Sequence, residues 1–197
     1  MGQADPAVRI LRAASRLLSE EGPDALTNRR IAEEAACTTM SIYSRYGSKG
    51  GVLEALFDEG LGRLEEAQRT VEPALEPLDA IVASCGAFRR AALDNPGHYW
   101  LIFGPPPKGF RPSAAVRERA RRSFGWMERG VVRAIEVRAI DGEPAIIAYD
   151  LLAACHGHVT LALLASGRSG LSLIDGDLER AYVAAVRRGL SSYAVTA

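Results

Sequence analysis

Lysine is almost missing from this sequence. Only Lys49 and Lys108 occur, and every other basic side chain is an arginine. Cysteine is scarce as well. Cys37, Cys85 and Cys155 are odd in number, far apart and form no CxxC pair, which excludes a disulfide framework and suits a reducing compartment. The N-terminus has no apolar signal core, and no uninterrupted apolar run reaches about 18 residues. The expectation is a soluble, cytoplasmic protein with no membrane partner. Charge of one sign is lacking too: 24 basic and 24 acidic residues cancel, so no global basic field points to nucleic acid. Strand-like alternation, internal repeats and low-complexity tracts are absent. So are HExxH, a Walker-type loop, GxSxG and the dinucleotide glycine pattern. His156 and His158 stand two apart on a helix, about 200° around its axis, and cannot share one metal. Nothing in this inventory supports an enzyme or a resident cofactor.

What is present is helical throughout. A hydrophobic content of 48% over 197 residues is enough for a substantial core. The fold class expected is all-α with about nine helices, divided into a small head, residues 1–50, and a larger body, residues 51–197. In the first helix, Pro6 to Glu21, Ile10, Ala13, Ala14, Leu17 and Leu18 form one apolar stripe and Gly22 ends it. A fourth helix runs from near Ser48 to about Val71, with Val52, Leu53, Leu56, Phe57 and Leu64 inward. A fifth spans about Leu78–Leu93, with Ile81, Val82, Cys85 and Phe88 inward. A short sixth covers His98–Phe103 and leads into the proline-stiffened loop Gly104–Pro112. The seventh, about Ser113–Ile140, turns Val116, Phe124, Met127, Val131, Val132 and Ile135 inward. Its Arg117, Glu118, Arg119, Arg121 and Arg122 form a solvated face. The eighth, about Glu143–Ala165, is apolar nearly all round and needs cover on more than one side. A loop over 167–177 follows, and Asp177 caps a ninth helix reaching Val195.

The stretch Leu26–Lys49 organises the head. Thr27 suits an N-cap, and Ile31, Ala32 and Ala35 give a narrow apolar face. Ala36-Cys37 interrupts, Thr38 caps a second helix, and Ile42 and Tyr46 share its inner side. Thr39, Met40, Ser41, Ser44 and Arg45 lie opposite. Two short helices with a tight turn fit either a plain helical hairpin or a helix-turn-helix, whose second helix enters the DNA major groove. The head is only one unit positive, so a DNA face there requires local segregation of charge.

The order RILRAASRLLSEEG, LTNRRIAEEA, TTMSIYSRYGSKGGVLEALF resembles the N-terminal domain of the tetracycline-repressor (TetR) family of bacterial transcription regulators. The resemblance rests on Ala13-Ala14, Leu17-Leu18, Gly22, Leu26-Thr27, Ile31-Ala32, Ala35, Ile42-Tyr43, Tyr46-Gly47-Ser48-Lys49 and Leu53. It implies operator-DNA binding through the second helix of the pair. Thr39, Met40 and Ser41 then sit near the bases, their methyl and hydroxyl groups suited to thymine methyls and polar contacts, and the capping Thr38 belongs to the same DNA-binding set. Tyr43, Ser44 and Lys49 hold phosphates. Thr27 and Arg29 touch the backbone or a flanking base, and Arg45 is the long base-reading side chain. Two departures stand out. Ala36 occupies a turn position where the family usually has glycine, at a cost of about 1 kcal/mol if the turn is left-handed. Gly50-Gly51 replaces a better helix former and an apolar residue and is expected to loosen the start of the fourth helix.

DNPGHYWLIFG and DLLAACHGHVTLALL resemble the C-terminal domain of a TetR subgroup named for a Trp-His-Gly motif, although the tryptophan is absent. This implies a ligand-binding and dimerisation domain, and the all-round apolar character of the eighth helix makes it, with the ninth, the expected dimer face. The candidate ligand set is Trp100, Phe103, Phe124, Met127, Tyr149 and His156. His156 otherwise reads as a buried, satisfied histidine, and Gly157 as the site of a close helix approach. The functional expectation is a homodimeric repressor released from double-stranded operator DNA by a small apolar ligand. The alternatives are a helical protein-interaction module and a metal-responsive regulator.

Overall fold

A computed structural model describes residues 5–166 and 176–195. The loop expected over 167–177 lies outside them except for its last two residues. Among the described residues there are nine α-helices: α1 Pro6–Glu21, α2 Asn28–Glu34, α3 Thr39–Tyr46, α4 Lys49–Arg69, α5 Pro77–Asp94, α6 Pro96–Phe103, α7 Ala114–Glu136, α8 Pro144–Ser166 and α9 Leu178–Ser191. A short 3₁₀ turn, Pro23–Ala25, links α1 to α2. The described chain forms two compact units. One comprises residues 5–63 and 95–121, the other 64–94 with 122–166 and 176–195.

In the first unit the α1 stripe is fully buried, together with Leu26, Ile31, Ile42, Val52, Leu53 and Leu56. Asp5 caps α1 by accepting from the Ala7 N–H at 3.0 Å. Helix α6 lies hard against α1: a Cβ on Gly97 would fall 2.6 Å from the Leu18 carbonyl oxygen and 3.0 Å from Ser19 Cα. The buried histidine of this chain is therefore not His156, which is half-buried, but His98 on α6, at 2% exposure. His156 sits on a half-covered flank of α8, while α6 is wedged among α1 and α4. His98 Nε2 lies 3.4 Å from Glu59 Oε2 and 3.5 Å from Ser15 Oγ. That contact, opposed by partial burial and helped by Arg63, holds the Glu59 carboxyl below its usual range.

In the second unit α5, α8 and α9 pack on one another around Ile81, Cys85, Phe88, Leu151, Cys155, Val159, Tyr182, Val186 and Leu190. The Tyr182 hydroxyl donates to the Cys85 carbonyl at 2.6 Å, and burial pushes its phenol well above the usual range. One of the described helices, α8, is long and apolar enough to cross a membrane by length and composition, but its inner side is covered by α5 and α9.

Two helices end sooner than their apolar periodicity suggests. Helix α7 stops at Glu136, not Ile140, because Arg138 turns left-handed (φ 56°) and the Ala139 N–H closes back on the Ala134 carbonyl. Helix α9 stops at Ser191, not Val195. The following residues leave the helix so that Ala194 pairs with Ile140 and the Asp141 N–H donates to the Tyr193 carbonyl. Val132, expected inward, is 37% exposed.

The same left-handed ending occurs at α2. Ala36 has φ 49°, and the Cys37 N–H reaches the Ala32 carbonyl at 3.0 Å. An L-residue with a side chain is disfavoured there, so Ala36→Gly should stabilise the protein by about 1 kcal/mol. A rise of roughly 2–4 °C in Tm by calorimetry is the expected reading for a chain of this size.

Candidate nucleic-acid interface

Thr27 caps α2, its hydroxyl accepting from the Arg30 N–H at 3.2 Å. Thr38 caps α3 in the same way, accepting from the Ser41 N–H at 3.3 Å and lying 3.1 Å from the Ser41 hydroxyl. The turn between them is four residues, Ala35 to Thr38. Ile42 seats α3 on the core at 0% exposure, and the Tyr46 hydroxyl donates to the Ala7 carbonyl at 2.8 Å. Those two anchors fix which side of α3 faces out.

The outward side carries most of the residues named for DNA. Thr27, Arg29, Thr38, Thr39, Ser44 and Arg45 are exposed, Met40 is 71% exposed and Tyr43 50%. Ser41 and Lys49 are half-buried, the latter at the first position of α4. An exposed methionine and tyrosine on a short helix are a poor bargain in water and suit a surface meant to be covered.

Charge is sorted within this unit. Glu34 pairs with Arg16 at 2.8 Å, Glu21 with Arg30 at 2.5 Å and Glu33 with Arg29 at 2.9 Å. Three of the head's carboxylates are thus spent on arginines of α1 and α2. Arg45 and Lys49 keep no such partner, so the cationic charge that remains uncompensated includes the outward side of α3 and its junction with α4. Arg29 stands 86% exposed in its pair with Glu33, and an exposed, solvent-screened i,i+4 pair of this kind is weak enough to be given up to a phosphate or base.

The glycines at the α3–α4 junction differ from the sequence expectation. Ser48 Oγ accepts from the Gly51 N–H at 3.2 Å, capping α4. A Cβ on Gly51 would sit 1.9 Å from the Tyr46 carbonyl oxygen. Gly51 therefore does not loosen α4. Its lack of a side chain is what lets α4 begin immediately after α3.

The six residues named for a ligand lie on α6, α7 and α8. On α6, Trp100 and Phe103 are half-buried and pack against buried Tyr99, with ring centroids 5.5 and 4.9 Å apart. On α7, Met127 is buried, and Phe124 meets Phe88 edge-on at 6.4 Å. Tyr149 is 71% exposed, a surface residue and not a cavity wall within this chain. His156 is half-buried on α8. Nothing lies within 4 Å of where a Cβ on Gly157 would be, so no helix of the described chain approaches there. Among the described residues no group of three or more His, Cys, Asp or Glu side chains could hold a metal ion.

Sequence reasoning passed over a groove of about 470 Å³ in the second unit, between the end of α4, α5 and α7, lined in part by Gln68, Ser84, Trp126, Arg129 and Arg133. Its signal was available: Arg122, Trp126, Arg129 and Arg133 recur at i, i+4, i+7 and i+11 along one face of α7.

The family described as "Bacterial regulatory proteins, tetR family" matches residues 10–56, and that described as "Tetracyclin repressor-like, C-terminal domain" matches residues 81–188. A relative from Mycobacterium tuberculosis, described as an uncharacterized HTH-type transcriptional regulator, is 29% identical over 103 residues, 51% of each chain. The chain thus spans about half the length of the curated relatives it matches. Among solved structures, a protein of unknown function from Rhodococcus sp. RHA1 shares the fold at a TM-score of 0.83 and 24% identity, over 98% of this chain and 97% of that one. The TetR family transcriptional regulator PfmR from Thermus thermophilus does so at a TM-score of 0.70 and 18% identity, over 93% and 97%.

Proposed function

We propose, from the premise that this chain belongs to the TetR family of bacterial regulatory proteins, that it is a cytoplasmic, dimeric transcriptional repressor. Residues 1–50 bind operator DNA, and residues 51–197 dimerise and respond to a small molecule. The observation that carries the reading is the outward side of α3, where exposed Met40, Tyr43 and Arg45 lie beside Lys49 while Glu21, Glu33 and Glu34 are tied to arginines elsewhere. Thr39, Met40 and Ser41 face the bases; Tyr43, Ser44 and Lys49 hold phosphates; Thr27, Arg29 and Thr38 flank them.

Salt dependence tests it. Each phosphate neutralised adds about −0.9 to the slope of log K against log salt on duplex DNA. Lys49→Ala should weaken binding to all sequences and flatten the slope by about one unit per protomer, read by fluorescence anisotropy over a salt series. An unchanged slope removes Lys49 from the phosphate set.

For the dimer, α8 supplies the face. Ile146, Tyr149, Ala153, Gly157 and Leu161 recur at helical spacing on its outer side, with Ile146 at 53%, Tyr149 at 71% and Leu161 at 46% exposure. A second copy pairing α8 and α9 about a two-fold axis covers this stripe, with bare Gly157 at the nearest approach. Leu161→Glu should convert a micromolar dimer to monomer by sedimentation. A wild-type monomer at that concentration contradicts the assembly.

For the effector, the aromatic set Trp100, Phe103, Phe124 and Met127 with His156 favours a ligand with an apolar body and a hydrogen-bonding group. Such a ligand regulates only as far as it prefers the DNA-free form.

A further inference from the structure

The groove between the end of α4, α5 and α7 has a chemistry different from that of the aromatic set. Trp126, Arg129 and Arg133 stand on one face of α7 and line it together. Arg129 and Arg133 are four residues apart, exposed, and neither has a carboxylate in contact. Like charges at that spacing repel when no counter-ion lies between them. The two acids in the wall do not relieve this: Glu65 accepts the Ser123 hydroxyl at 2.6 Å, and Glu72 lies in the segment after α4 with no ion pair. Arg69, also in the wall, is engaged by Glu66. The Gln68 side-chain amide donates to the Ser84 carbonyl at 3.1 Å, while its own oxygen is buried with no donor. The half-buried indole of Trp126 lies on the arginine side.

We propose that this groove binds a small organic carboxylate with a planar apolar body. The two guanidinium groups take the carboxylate, and guanidinium forks match its two oxygens better than ammonium groups would. The Trp126 indole stacks on the body. This inference rests on the ligand-responsive reading only for its regulatory consequence. The binding site stands on the groove itself.

The test compares 2-naphthoate with its neutral analogue, 2-naphthalenemethanol, by isothermal titration on the full chain. Naphthoate should bind at least tenfold more tightly than the alcohol. Arg129→Gln combined with Arg133→Gln should bring naphthoate down to the level of the alcohol. Both side chains are exposed, so the double variant should keep its helical circular dichroism. Trp126→Leu should weaken both compounds by a similar factor. Equal binding of acid and alcohol to the wild type, a charge preference that survives in the double variant, or no naphthoate binding at millimolar concentration overturns the site. Operator affinity measured with and without naphthoate separates the two ideas. Arginine-dependent binding that leaves operator affinity unchanged upholds the groove and removes it as the effector site. Loss of all DNA binding in the absence of naphthoate strikes at the regulator reading instead.

Discussion

Gly51→Ala should be among the most damaging single-methyl changes available in this protein. The added carbon would fall 1.9 Å from the Tyr46 carbonyl oxygen, roughly half a van der Waals separation, and the obstacle is backbone, which has no rotamer to escape into. Either α3 gives up its last turn or α4 begins late. Overpacking of this kind costs about 1–3 kcal/mol and sometimes more, and the overlap here points to the upper end. A loss of about 3 kcal/mol corresponds to roughly 6–12 °C in Tm for a chain of this size. Because Tyr46 also anchors α3 to α1 through the Ala7 carbonyl, the variant should lose DNA affinity even below its melting temperature. Gly50→Ala is the control: its Cβ would meet only the Ser48 hydroxyl at 3.3 Å, and the change should be neutral or mildly stabilising. Equal melting of the two variants would remove the steric argument.

Arg45→Ala should produce the largest change in DNA specificity. Arg45 is the longest side chain on the outward side of α3, exposed and without an acidic partner, and an arginine contact to a base edge is worth about 1–3 kcal/mol of discrimination. The expected outcome is a loss of about 5- to 150-fold at the operator with little change on unrelated DNA, and a relaxed preference at one position per half-site in a selection experiment. Arg29→Ala should do less, since that guanidinium must first leave Glu33. A uniform loss over all sequences would instead make Arg45 a phosphate contact.

Much of the head was legible in its residues because its signals are local. A threonine before each short helix, an apolar pair within each and a glycine after α1 act within one turn of chain, and the caps form as the sequence suggests. The ends of α7 and α9 were not legible. Their apolar periodicity runs on, and what stops them is the pairing of Ile140 with Ala194 across more than 50 positions. The role of Gly51 was hidden for a related reason: propensity prices a glycine by its own backbone, while this one is needed by the carbonyl of Tyr46. The buried histidine went to the wrong helix because burial of His98 depends on how α6 wedges against α1 and α4, which no periodicity of an eight-residue helix reveals. The solvated face expected on α7 takes in only Arg117 to Arg122 and leaves Arg129 and Arg133 without a role, which the groove gives them, whereas Arg121 is occupied by Glu118.

The seat of α6 on α1 has a mechanical consequence. At Gly97 the two helices meet backbone to backbone, with no intervening side chain able to flex, and on the adjoining turn His98 is held between Ser15 and Glu59. A joint built that way has almost no slack. A push on α6 is not absorbed by rotamer changes at the contact but passes straight into the backbone of α1, and from there to the Ala7 carbonyl that holds Tyr46 and the end of α3. Adding compliance at that one joint, by any side chain at position 97 that forces the helices apart, should blunt transmission through it while leaving the outward side of α3 chemically unchanged.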